Sequence, residues 1–302
     1  MSKKDPTENP LLSWEETVLL LQSKPEFGEL MANTYLDKDL FANASRYHAS
    51  EEFRDILEIL SSAGIQRGRL LDVGAGNGIC SIAFAREGWD VTAVEPDPGM
   101  VTGRGAIARL KEHSDIDSLV ILDGTGESLP FSEGTFDVVF VRQAFHHAAD
   151  LKRFAAECLR VLAPGGILLG IREHVVFNSR DKRLFFEQHP MHKHYGGENA
   201  YRLREYLSAF EAGNGTVERV LRYFDSPVNY FPLQKKDIEK LPEFQLSAQD
   251  KRLRELVGSA ADVPLIRVLY RIWIKLRAGG PYDERRLPGR MYSFVVRKKA
   301  ER

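Results

Sequence analysis

The sequence predicts an α/β fold: a doubly wound, mostly parallel sheet of seven strands, a helical segment ahead of it and a helical insertion before its last strand. Three observations predict it. Short apolar runs, "RLLDVGAG", "DVTAVEPD", "SLVILDG", "FDVVFVRQ" and "GGILLGIREH", recur about one helix apart. Strands that are apolar on both faces and alternate with helices belong to a parallel sheet covered on both sides. The first run also ends in a glycine turn that opens a helix, and two further strand-like segments, "GTVERVLRYFD" and "MYSFVVRKK", appear where the alternation stops.

The elements follow in order. Residues 11–66 read as helices. "SWEETVLLLQ" offers Ser13 as N-cap with Glu16 three positions on, a capping-box pattern. "SEEFRDILEILSSAG" offers Ser50 as cap, Phe53, Ile56, Leu57 and Leu60 on one face, and Gly64 as stop. Strand candidates one to five then alternate with helical patterns such as "DLKRFAAECLRVLAPGG". About sixty residues, 226–288, look mostly helical, break the alternation and read as an insertion. The resulting domain organisation is 1–67 for the N-terminal helical part, 68–225 with 289–302 for the sheet domain, and 226–288 for the insertion, an acceptor or dimer region.

Composition narrows the function classes. The chain has 302 residues, 43% hydrophobic and 28% charged, ordinary for a globular protein. No apolar run reaches the ~18 residues of a membrane span, and the start carries no secretion signal. Two distant cysteines, Cys80 and Cys158, fit a reducing cytoplasm, which is the expected location. The net charge of -1 hides an asymmetry: residues 251–302 hold 14 Lys/Arg against 5 Asp/Glu, and the first 250 hold 28 against 38. A basic end of this kind meets an acidic substrate, a membrane surface or nucleic acid, or is a solvated face.

Chemistry concentrates at the glycine turn. "LLDVGAGNG" places Gly74, Gly76 and Gly78 between a strand and a helix, where glycine lets the backbone turn tightly and approach a ligand. A dinucleotide fingerprint would put its third glycine at position 79, where this chain has Ile79. Asp72 places a carboxylate where a pyrophosphate would be repelled. Glu95, at the end of the next strand, stands where an acid accepts both ribose hydroxyls. An acid before the glycines, strands on schedule and a ribose acid form one set, pointing to a nucleoside-bearing ligand. No Gly-Lys-Ser/Thr phosphate loop and no Gly-x-Ser-x-Gly elbow occurs, which disfavours nucleotide hydrolysis and esterase chemistry.

With "LPF", "FDVV", "HH" and "RVLAPGG" in sequence after that set, the chain resembles the class I S-adenosylmethionine-dependent methyltransferases, especially their broad small-molecule group (methyltransferase type 11, UbiE-like), from about Gly68 to His174. The resemblance implies a Rossmann-like sheet whose last two strands form an antiparallel hairpin, and S-adenosylmethionine as cofactor, leaving as S-adenosylhomocysteine. It implies that Asp72, Gly74, Ala75 and Gly76 hold the methionine end and that Glu95, with Pro96, takes the ribose. It places adenine at "GTGESLPF", where family members usually carry an aspartate and this chain has Thr125; Thr125, Gly126 or Glu127 would then make the contact. Gln143 also falls to the cofactor, and "FANASRYH" is similar to the family's helical lid, placing Tyr47 near the methionine end.

Methyl transfer is an in-line displacement that needs alignment, exclusion of water and, for a hydroxyl nucleophile, a base. Histidine suits that base near neutral pH. His174, after the fifth strand, is the first choice and His147, after the fourth, the second; packed or capping histidines are the alternative. His146, Arg172, His189, His192, His194 and Tyr195 are the expected acceptor contacts, the last four in "EQHPMHKHYGGENAY", read as a mobile loop with Gly196 and Gly197 as hinge and Glu198 or Asn199 starting the next helix. No metal is expected there, since Pro190 breaks the helical register and the histidine spacing matches no zinc pattern.

In the insertion, "VPLIRVLYRIWIKLRAGG" lies between Pro264 and Gly279, with Leu265, Leu269, Ile272, Trp273 and Leu276 on one face and Arg267, Arg271 and Lys275 spaced by four. Such a helix, 264–278, is core or a homodimer contact, or lies on an anionic membrane or receives a lipid-linked substrate. Nucleic acid is not expected, because no recognition motif accompanies the basic residues. The expected function is O-methylation of a small-molecule acceptor such as a sugar, a glycan precursor or a secondary metabolite. The alternatives are C-methylation of a prenylated or lipid acceptor, and a cofactor-binding regulatory or assembly subunit without transfer activity.

Overall fold

A computed structural model of the protein describes residues 12–197, 199–240, 253, 256–278 and 290–300. Its first parallel strands are β1 (Arg69–Val73), β2 (Asp90–Val94), β3 (Val120–Leu122), β4 (Phe136–Arg142) and the long β5 (Leu162–Val176). The inner positions of β1, β4 and β5 are buried on both faces, as "FDVVFVR" requires, while the edge strand β3 is half-exposed. The order in the sheet is β3-β2-β1-β4-β5, all parallel, followed by β8 (Met291–Lys298) and β7 (Gly215–Leu221), both antiparallel to their neighbours. The chain winds outward from β1 to β3, then restarts at β4 on the other side of β1. That reversal leaves a crevice beyond the C-terminal ends of β1 and β4, the usual ligand position in such sheets.

Helices cover both faces. On one lie α3 (Leu40–His48), α4 (Glu51–Ser62), α5 (Ile79–Arg86) and α6 (Arg104–Ser114), packed around Phe53, Phe84, Trp89 and Phe140. On the other lie α7 (Leu151–Val161) and α9 (Leu203–Ala212), around Phe145, Phe154, Phe210 and Phe294. Cys80 and Cys158 are free and buried. Ahead of these helices, α1 (Trp14–Gln22) carries the predicted capping box: the Ser13 hydroxyl accepts from the Glu16 amide, and Glu16 accepts from the Ser13 amide. Ser50 caps α4 through the Phe53 amide. Helix α2 (Gly28–Asn33) follows α1 and packs Met31 against Val18 and Leu21.

Two expectations are corrected. Among the described residues an eighth strand joins the seven expected: β5 runs past its pairing with β4, and its buried end, Val175 and Val176, pairs with a two-residue strand β6 (Tyr201–Arg202). The helix placed at Glu198 or Asn199 therefore begins at Leu203, with the Arg202 amide donating to Glu205; Glu198 itself lies outside the described residues. The "mobile loop" is also tied down. After α8 (Ser179–Gln188), the Leu12 amide donates to the His194 carbonyl, and Met191 is buried against Val18, Leu21 and Met31.

Within 226–288 the described elements are α10 (Pro227–Tyr230), α11 (Lys235–Ile238), a short 3-10 turn Gly258–Asp262 and the helix Pro264–Ala278. Helix α10 packs on α4 and β8. The apolar stripe of Pro264–Ala278 is not core: Leu265, Leu269, Ile272 and Trp273 are 65%, 57%, 48% and 52% exposed. Both faces of the sheet are already covered, which leaves this stripe no core to enter. The side chains of Arg271, Lys275 and Leu276, and all of Gly279, lie outside the described residues. Among the described residues no helix is long and apolar enough to cross a membrane.

Candidate active site

A cavity of about 750 Å³ opens at the C-terminal ends of the parallel strands. Its first wall is the turn after β1. Gly74 and Gly76 have φ of +70° and +56°, in the left-handed region. A Cβ on Gly74 would also stand 2.7 Å from that of Ala144, whereas one on Gly76 would meet nothing within 4 Å and would fill the cavity instead. The backbone at Gly76 is thus open to the cavity.

Two buried carboxylates flank that opening. Asp72 accepts from the Ser81 hydroxyl at 2.6 Å, and burial pushes its carboxyl up to about 6. Glu95 accepts from the Gly76 amide at 2.8 Å and the Asp97 amide at 2.9 Å, and burial pushes it up to about 7. Glu95 is thereby locked to the glycine turn, with lone pairs left for hydroxyl donors. Ala75, Pro96, Thr125, Gly126, Glu127 and Gln143 also line the cavity. Glu127 accepts from the Ala149 amide at 3.0 Å, and Gly126 leaves room for the Phe154 ring, on which a Cβ would collide. Gln143 sits at φ +54° with its amide oxygen accepting from Arg142 at 3.0 Å.

The opposite wall holds the histidines. Glu173, fully buried at the end of β5, accepts from the amides of Ala144 (3.0 Å), Phe145 (3.2 Å) and His146 (3.0 Å) and pairs with the His146 ring at Nδ1 (2.8 Å). One carboxylate therefore orients the whole turn after β4. The His146 ring lies 4.1 Å from His147 and 4.8 Å from His174, and His174 lies 5.4 Å from His189. The Nδ1 of His147 meets the Gly197 carbonyl at 3.0 Å. A carbonyl only accepts, so Nδ1 carries the proton and Nε2 the lone pair. Burial lowers the affinity of His146 and His147 for a second proton and takes His189 down to about 4. These three rings are neutral near pH 7.

The structure brings His146, His147, His174, His189 and Tyr195 into the cavity wall and leaves four predicted residues out of it. Tyr47 is wholly buried between α3 and the core, with Cys80 lining the cavity in its place. Arg172 faces the other way: a bulge between Gly170 and Glu173, with Arg172 at φ +58°, turns its side chain toward Glu52 (3.3 Å) and the Phe231 carbonyl (2.6 Å). His192 stacks on Phe186 at 4.3 Å. His194 does not reach the cavity; its carbonyl holds Leu12. Among the described residues no three metal-ligating side chains converge.

Sequence reasoning missed Trp14, Met31, Met191 and Met291, which line the cavity from the two ends of the chain and from between. It also missed the ion pair of Glu52 with Arg142 (2.6 Å), buried beneath the glycine turn. No local signal marks them, because they arrive by docking.

Comparison with known proteins agrees with this geometry. Residues 71–170 match the family described as a methyltransferase domain. An uncharacterized methyltransferase of Mycobacterium bovis is 38% identical over 116 residues, which is 38% of this chain and 42% of that protein. The chain thus spans about two fifths of this curated relative. A putative sarcosine dimethylglycine methyltransferase from Galdieria sulphuraria superimposes with a TM-score of 0.53 at 16% identity, covering 82% of this chain and 84% of that one. A geranyl diphosphate C-methyltransferase from Streptomyces coelicolor, solved with S-adenosylhomocysteine, gives 0.53 at 17% identity over 82% and 76%. The two solved structures share the fold, and the matched segment includes the glycine turn, Glu95, and the turn after β4 with His146 and His147. Residues 71–170 carry a methyltransferase domain, within the fold that these two solved methyltransferases share.

Proposed function

We propose that this protein transfers a methyl group from S-adenosylmethionine to an oxygen of a small-molecule acceptor, with a cavity histidine as base. The observation that carries the reading is one cavity with two unlike walls, carboxylates on the glycine turn and neutral imidazoles opposite. The residues fit the cofactor: Gly76 leaves open space, and Glu95 is anchored with oxygen lone pairs available to ribose hydroxyls. Asp72 stands where an ammonium group would find a carboxylate. When bound, S-adenosylmethionine supplies an electrophilic methyl group on a sulfonium. Thr125, Gly126 and Glu127 would border the adenine, and Gln143 the methionine end.

The chain's own part in catalysis is orientation, exclusion of water and proton removal. His147 holds its Nε2 lone pair toward proton transfer because the Gly197 carbonyl fixes the other nitrogen. His174 lies in the same ring cluster, one imidazole away across His146. His147→Ala and His174→Ala therefore separate the two. Methylation of a hydroxyl acceptor should fall on the order of a hundredfold in the variant that lacks the base, with S-adenosylhomocysteine binding retained. Equal activity of both variants with the wild type across pH excludes His147 and His174 as the base. Cofactor binding without any methylated product over a broad acceptor panel supports the non-catalytic alternative.

A second reading is favoured by the exposed stripe of Pro264–Ala278. A lipid-borne acceptor, with C-methylation as its chemistry, would use that apolar face and Arg267 at a bilayer surface. Binding to anionic liposomes that is lost in Leu269→Glu with Trp273→Glu supports it, and wild-type protein that ignores such liposomes removes it.

A further inference from the structure

We propose that the acceptor of this cavity is an uncharged, flat, ring-bearing molecule with a hydroxyl group, and that phosphorylated and diphosphate-bearing acceptors are excluded. This rests on the methyl-transfer reading and names the substrate class of the same site.

The cavity divides along the strand order. The ends of β1 and β2 and the turn 124–127 form one half, with Asp72, Glu95, Asp97 and Glu127. Arg142, the cavity's cation, belongs to the floor under the glycine turn: it is paired with Glu52, and its charge is felt at Asp72 and Cys80. The other half is built by α1, α2, the segment after α8, the turn after β4, and the ends of β5 and β8. Among the described residues lining that half there is no Lys, Arg, Asp or Glu. The titratable groups facing it are His146, His147, His174 and His189, with Glu173 buried behind His146. Burial keeps His146, His147 and His189 from taking a second proton near pH 7. A phosphate here would lose its water and meet no cation, which costs several kcal/mol in an apolar setting.

What the half offers instead is rings and thioethers. Trp14, His147 and Tyr195 form a mutually edge-on trio, with centroids 5.3 Å (Trp14–Tyr195), 6.0 Å (Trp14–His147) and 6.0 Å (His147–Tyr195) apart. Ring walls of this geometry favour a flat partner by edge and face contacts. Met31, Met191 and Met291 line the rest, and their sulfurs adapt to aromatic edges. The neutral imidazoles give polar contact to one hydroxyl without asking for charge.

The test is calorimetric binding of naphthol and naphthyl phosphate to the full chain saturated with S-adenosylhomocysteine. The two probes share a ring and differ in charge. Naphthol should bind, and naphthyl phosphate about tenfold or more weaker. Trp14→Ala should weaken naphthol about fivefold or more, with S-adenosylhomocysteine binding as the check that the variant is folded. Met291→Lys, which places a cation in the neutral half, should raise the affinity for naphthyl phosphate to at least that of naphthol. The proposal is overturned if the phosphate binds the wild type as well as naphthol does, if naphthol does not bind, if Trp14→Ala leaves naphthol unchanged, or if Met291→Lys gives the phosphate no gain. Failure of S-adenosylhomocysteine itself to bind overturns the cofactor reading instead, so the two failures are distinguishable.

Discussion

Glu95 joins the glycine turn to the protonation state of the site. Its oxygens accept from the Gly76 and Asp97 amides, and burial pushes its carboxyl from 4.5 up to about 7. The folded, ligand-free chain therefore keeps a proton that the unfolded chain releases above about 4.5, and the stability Glu95 contributes is lost as pH rises through about 7. The neutral histidines act in the opposite sense below their ordinary value, so the effect is read as a difference. The stability of the wild type relative to Glu95→Gln should decline from about pH 4.5 to about pH 7 and level off above. Thermal melting of both proteins across that range checks it, and a gap that stays constant removes the assignment. Ribose hydroxyls need the ionised form, so the same substitution should weaken S-adenosylhomocysteine roughly tenfold or more at pH 8, as loss of charge-assisted hydrogen bonds does. The positions of Asp72, Gly74, Gly76 and Glu95 at the cavity were legible in the sequence because they follow from local spacing at the ends of β1 and β2. Arg172 turns toward Glu52 and the Phe231 carbonyl through a register shift in β5, and no sequence period records such a shift.

At the scale of elements, α8 and β8 are held together by one buried pair. Arg290 donates to both oxygens of Asp181, at 2.8 and 3.0 Å, and to the Val175 carbonyl at 3.1 Å, with its guanidinium 4.2 Å from the Phe177 ring centroid. Removing the carboxylate takes both charge-assisted hydrogen bonds from a buried guanidinium, so Asp181→Ala should cost about 3–5 kcal/mol of stability in chemical denaturation. A loss under about 1 kcal/mol would show that water reaches this site. The helix Pro264–Ala278 is the contrasting element. Its stripe is exposed, so Leu269→Glu should change stability by less than about 0.5 kcal/mol, whereas a core leucine would lose several. The helix itself was legible from its period. Its partner was not, because amphipathicity states that a face wants cover and does not say what covers it.

At the scale of the whole molecule, the cavity is a meeting of distant segments. Trp14 comes from the first described helix, His146 and His147 from the turn after β4, Tyr195 from a segment that Leu12 holds down, and Met291 from the start of the last strand. The strand order places β8 beside β5, which is how residue 291 reaches a site built on β1 and β4. The sequence by itself determined the alternation of strands and helices, the glycine turn with its two acids and the capped helices. Each depends on spacing within a few tens of residues, where backbone periodicity and turn chemistry act. Only the tertiary structure decided which histidines share a wall, that Glu173 orients one of them, that Tyr47 and Arg172 lie outside the cavity, and that no Lys, Arg, Asp or Glu joins that wall among the described residues. Those facts depend on which side chains non-local packing turns toward one volume, and on how far burial there moves their protonation.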